Sequence, residues 1–165
     1  MCSVAVAVTV SPAARATAAH CGPMATTTGG VSAPNAAAQA RAALPTPEDK
    51  QAAWASLVDR DDLSNTIVRS AALGFTHPAG VALLEPFVPQ YFDALLPIWE
   101  GRTFQVANYL IVGLFPAPLA DVALRDATRA WLAANVDAPP ALRRLVHENL
   151  AGVERALAVQ ERDAE

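Results

Sequence analysis

From Thr46 onward, apolar residues recur at spacings of three and four, the mark of helices with one buried face. Thr46 with Pro47, Glu48 and Asp49 reads as a helix start, since proline suits the first helical position and acids suit the positive end of the helix dipole. Ala53, Trp54, Leu57 and Val58 then form the first apolar face. A second, short helix is expected to open at Asp61 or Asp62, carry Leu63, Ile67 and Ala71, and close at Gly74. His77-Pro78 begins a third stretch, with Leu83, Leu84, Phe87, Val88, Phe92, Leu95 and Leu96 as its apolar residues. Pro86 and Pro89 are expected to break or kink it, because proline lacks a backbone donor.

Residues 104–115 (FQVANYLIVGLF) are apolar almost all round, which predicts the buried centre of the domain. The segment is too short to span a bilayer. Pro116 and Pro118 end it. The next helix places Leu119, Val122, Ala123, Ala127, Ala130, Trp131 and Ala134 on its inner face, with Asp121–Arg125 and Asp126–Arg129 as solvent-side ion pairs. After Pro139-Pro140, a long last helix carries Leu142, Leu145, Val146, Leu150, Val153 and Leu157. No run alternates as a strand does. The fold class is therefore all-α, in three antiparallel helix pairs at about 47–73, 79–115 and 118–162. Each pair has the size of a helical-repeat unit, and the expected architecture is a short curved HEAT/armadillo-like stack, although no sequence self-similarity marks the repeats.

Composition sharpens the boundary of this domain. The chain has 165 residues, enough for one domain with a real core. All 16 acids lie at or after Glu48, while the first 44 residues carry only Arg15 and Arg41. The two parts hold +2 and −6, which sum to the net −4. This places a boundary near residues 37–46, with residues 1–36 as a disordered or mis-started segment and residues 37–165 as the helical domain. The first 36 residues are rich in Ala, Ser, Thr, Gly and Pro and cannot bury enough to offset chain entropy. A signal-peptide core over residues 4–10 is disfavoured because it is short and no basic residue precedes it, and Met24 is an alternative start. Both cysteines, Cys2 and Cys21, fall in this segment, so the helical part has no disulfide framework, as suits a cytoplasmic protein. A single lysine beside eleven arginines, and a negative net charge, give no clustered basic face for nucleic acid.

Three stretches carry a family resemblance: PTPEDKQAAWASLVDRDDLSN (45–65), GFTHPAGVALLEPFVPQYFDALLPIW (74–99) and PPALRRLVHENLAGVERALAVQ (139–160). Together they resemble the C-terminal helical domain of actinobacterial aminopeptidase N, the domain shared with endoplasmic-reticulum aminopeptidases. The resemblance covers about 125 of the 165 residues in the same order. In that family the whole enzyme is several times longer. Its catalytic domain binds zinc through H-E-x-x-H and a downstream Glu, and a G-x-M-E-N loop holds the substrate's amine. The resemblance implies that this chain is the last part of a helical stack that covers the catalytic domain and walls a chamber for the peptide. It implies zinc in the parent enzyme and none here, a catalytic domain as partner in cis or in trans, peptides as substrate, and no hydrolysis by this chain alone.

The residues themselves offer little chemistry. His147-Glu148-Asn149-Leu150-Ala151 reads H-E-x-x-A, and a zincin site needs its second histidine where Ala151 stands. His20 beside Cys21 and the isolated His77 supply no further ligand set, so no catalytic and no metal residues are expected. Arg143 and Arg144 are candidates for lining the peptide chamber and meeting a carboxylate, set against the plainer reading of solvent-facing partners for nearby acids. Trp54, Trp99 and Trp131 read as core, and Asp61, Asp62, Ser64 and Asn65 as turn and cap residues. Two readings besides the parent-enzyme domain remain: a stand-alone helical-repeat adaptor, and a part that completes a separately encoded catalytic chain. Loss of upstream helices is expected to leave some of Trp54, Leu57 and Ile67 uncovered.

Overall fold

A computed structural model describes residues 32–164. The readings of Cys2, His20, Cys21 and Met24 lie outside the described residues. Among the described residues are seven α-helices and no strand: α1 (Ala33–Ala42), α2 (Pro47–Val58), α3 (Asn65–Phe75), α4 (Phe87–Gly101), α5 (Phe104–Gly113), α6 (Val122–Ala134) and α7 (Pro140–Asp163). Short 3₁₀ segments cover Pro78–Leu84 and Ala117–Leu119. The odd-numbered helices neighbour one another in chain order, and α2, α4 and α6 each pack on the helix that follows.

The local chemistry explains most boundaries. The Thr46 hydroxyl accepts from the Asp49 amide at 3.1 Å and starts α2 where expected. Helix α3 starts at Ser64, whose hydroxyl accepts from the Ile67 amide at 3.4 Å, rather than at Asp61 or Asp62. Asp62 is instead gripped by both arms of the Arg60 guanidinium, at 2.9 and 2.7 Å. Pro86 and Pro89 begin α4 rather than break it, because first-turn amides have no helical partner to lose. Helix α1 went unanticipated, since an alanine-rich segment shows no large apolar face, and it begins at Ala33, ahead of the boundary expected at 37.

Glycine acts here through close approach. Gly74 does not end α3 as expected; it lies inside the last turn, where a Cβ would collide with the backbone carbonyl of Gln39 on α1. A Cβ on Gly113 would stand 2.7 Å from the Cβ of Ala72, so α5 also approaches α3 closely, across that methyl. These two contacts hold α3 between α1 and α5.

The core runs the length of the domain. Trp54, Phe75 and Phe87 form a triangle with centroids 5.1–5.8 Å apart, and this packing leaves Trp54 and Leu57 only 6% and 1% exposed. Of the three residues of which some were expected to be uncovered, these two are covered and Ile67 is half-buried. Helix α5 buries Ala107, Leu110 and Ile111 but leaves Phe104 and Val112 largely exposed, so it is central with one open face rather than buried all round. Helix α6 is turned from the expected face: Leu124, Thr128, Trp131 and Leu132 are buried, and Val122, Ala123, Ala130 and Ala134 are exposed. Alanines fit the helical spacing on either side and give no direction. Helix α7 buries Leu142, Leu145, Val146, Leu150 and Val153 as its period predicts.

One polar network crosses this core. The Tyr91 hydroxyl on α4 donates to the Ile111 carbonyl on α5 at 2.7 Å. Asn149 on α7 donates to the Tyr91 oxygen at 3.1 Å and to the same carbonyl at 3.2 Å. Burial pushes the Tyr91 phenol far above its ordinary pKa, opposed by the bond from Asn149, so it stays a donor. No single helix among the described residues is long and apolar enough to cross a membrane.

Ala120 adopts φ 30° and ψ 54° just before Asp121 caps α6 through the Leu124 amide at 2.7 Å. A side chain in this left-handed region costs about 1 kcal/mol. Ala120→Gly is therefore expected to raise the free energy of unfolding by no more than about 0.5 kcal/mol in urea titrations, the relief of strain slightly exceeding glycine's added chain entropy.

Candidate functional site

The most unusual side chain in the domain is one the sequence did not flag. Lys50, the chain's only lysine, is fully buried at the first turn of α2. Its Nζ donates to the carbonyls of Ala42 (2.8 Å), Phe75 (2.6 Å) and Gly74 (3.4 Å), and lies 5.3 Å from the Phe75 ring centre. Three carbonyls match the three donors of an ammonium, and they stand at the negative ends of α1 and α3. Burial nonetheless pushes the Lys50 pKa below the ordinary lysine value. The only signal available in the sequence was a lone lysine among arginines, and that points to no role.

Arg143 and Arg144 do not converge. Neighbours on a helix point about 100° apart, and these two go to different surroundings. Arg143 donates to the carbonyls of Leu132 (2.7 Å) and Asn135 (2.5 Å), closing the C-terminal end of α6. Arg144 is exposed, 3.6 Å from Glu148 one turn further along α7. His147 is also exposed, and the Ala151 methyl stands where a second ligand would be needed. His77 accepts from the Ala79 amide at 3.2 Å and serves as a turn cap. Among the described residues no three His, Cys, Asp or Glu side chains stand together.

Surface clefts lie elsewhere among the described residues. A cleft of about 430 Å³ lies among α1, α2 and α3, with Ala38, Ala53, Leu63, Ile67 and Ala71 in its apolar lining and Arg41 at its edge. A second, of about 330 Å³, has Asp59, Asp61 and Pro97 around Arg102, whose guanidinium donates to the Val58 carbonyl at 2.6 Å. Neither shows a nucleophile hydrogen-bonded to a base among its lining residues.

This all-helical unit, with Lys50, Arg102 and Arg143 turned to helix ends, agrees with what its sequence matches. Residues 24–155 match the ERAP1-like C-terminal domain, and the chain belongs to that family. It is 41% identical over 128 residues to aminopeptidase N of Streptomyces lividans, which covers 78% of this chain and 15% of that protein. The chain therefore spans about 15% of the length of the curated relative it matches.

The geometry separates the two arginines experimentally. Arg143→Ala strips a donor from two helix-end carbonyls and is expected to cost about 1–2 kcal/mol. Arg144→Ala removes a loose exposed pair and is expected to stay within about 0.5 kcal/mol of the parent. Thermal or urea denaturation of the two variants checks the contrast.

Proposed function

We propose that this chain serves as the non-catalytic C-terminal helical part of a cytoplasmic aminopeptidase N-type zinc peptidase, an enzyme class that removes N-terminal residues from peptides. In this reading, residues 37–165 act as one domain that stacks as a curved array, covers the catalytic domain and walls the substrate chamber. The catalytic domain would be its partner, in the same chain or a separate one, and zinc would be held there rather than by the residues described here. The observation that carries the reading is the 41% identity over 128 residues to a protein called aminopeptidase N.

The site geometry adds a limit to it. Of the two arginines, Arg144 keeps a guanidinium free enough to meet a peptide carboxylate, because Arg143 is committed to the end of α6. In this reading Arg144 is the better disposed of the two for a chamber role. The reading is tested by assaying the purified chain on a chromogenic aminoacyl substrate with added zinc. The expected result is no hydrolysis above the background of a chelator-treated control. Chelator-sensitive activity that stays with this chain through purification overturns the reading.

A further inference from the structure

We propose that α1 is a releasable strap, latched by Lys50, that opens and recloses over α2 and α3 while the rest of the domain stays folded. Ten residues are too few to hold a helix in water without tertiary support. That support is close backbone approach to α3 rather than buried side-chain bulk. Ala42 is the only fully buried residue of α1, no side chain caps its N-terminus, and α2 and α3 are its main neighbours. By contrast, α7 buries five residues, and the Tyr91–Ile111–Asn149 network ties it to α4 and α5.

The latch itself is built to let go. Closed, Lys50 joins the Ala42 carbonyl of α1 to the Phe75 and Gly74 carbonyls of α3. When α1 lifts, the ammonium keeps its acceptors on α3 and gains water in place of Ala42. Opening therefore strands no buried charge, and rehydrating the amine offsets part of the lost contact. The second anchor is the close approach at Gly74, which tolerates no side chain while α1 is in place. A segment with little apolar burial and a replaceable polar anchor is what opens below the global unfolding threshold. Release uncovers Ile67 and Ala71 in the cleft, together with the amine of Lys50.

The single lysine makes the opening directly readable. In wild-type protein, the N-hydroxysuccinimide ester of acetic acid at fixed pH should acetylate Lys50 at least about tenfold faster than the whole domain unfolds, as a sub-global opening requires. Native-state hydrogen exchange should show α1 amides at least about tenfold less protected than those of α5 and α7. Lys50→Met should lower α1 protection about a further tenfold and leave α5 and α7 within about threefold. Gly74→Ala, which displaces α1 by sterics and leaves the lysine in place, should do the same and speed Lys50 acetylation. Equal protection of α1 and α5 in the wild type, or acetylation only at the global unfolding rate, overturns the strap. Uniform loss of protection, or failure to fold, in Lys50→Met overturns the latch, and the wild-type measurements still decide the strap.

Discussion

The first half of the domain is organised around a buried ammonium. Lys50 brings the C-terminal carbonyls of α1 and α3 to one point, and those two helices cannot be placed independently of it. Among the described residues no carboxylate pairs with that charge. Its stabilisation comes from carbonyl oxygens, two helix dipoles and the face of Phe75. Because Phe75 also belongs to the Trp54–Phe87 triangle, the polar junction and the aromatic core share one residue. Replacing the lysine by an apolar side chain of similar length would leave carbonyls buried without donors, a cost that apolar packing does not recover.

The same device recurs at other helix ends. Arg102, just after α4, donates to the Val58 carbonyl at the end of α2, and Arg143 closes the end of α6. None of these helices ends on a left-handed glycine, the usual local solution. A cation from another helix does the work, which ties each helix end to its neighbour and makes stopping a helix a tertiary event. The arginines used this way are held by backbone carbonyls, so sequence proximity misleads. Arg143 and Arg144 are adjacent, yet one is committed to an internal task and the other lies exposed beside Glu148.

This explains which features the sequence could and could not reveal. Local signals were sound: Thr46 caps α2, and the long period of α7 gave its buried residues, because both are decided within one helix. The inner face of α6 was misread because alanines at several registers satisfy the same spacing, and only contact with the rest of the core selects Leu124, Thr128 and Trp131. Helix α1 was missed for the related reason that it owes its existence to α3 and Lys50 rather than to its own pattern. The absence of a zincin pair at His147 was legible, since it depends only on the identity of residue 151. The role of Lys50 was not, because its acceptors lie 8, 24 and 25 residues away.

The close contact at Gly74 shows why the cation of Lys50 is needed there. Small residues let α1 and α3 approach until backbones nearly touch, which gains dispersion contacts but leaves little side-chain bulk to bury at the crossing. Helix ends brought this near one another also crowd unpaired carbonyls into a region from which water is excluded. A long cation threaded from α2 satisfies several of them at once, where a water or a hydroxyl would reach fewer. The tight crossing and the buried lysine are thus two parts of one solution. Widening the crossing would admit water and make Lys50 unnecessary, and removing Lys50 would make so narrow a crossing costly.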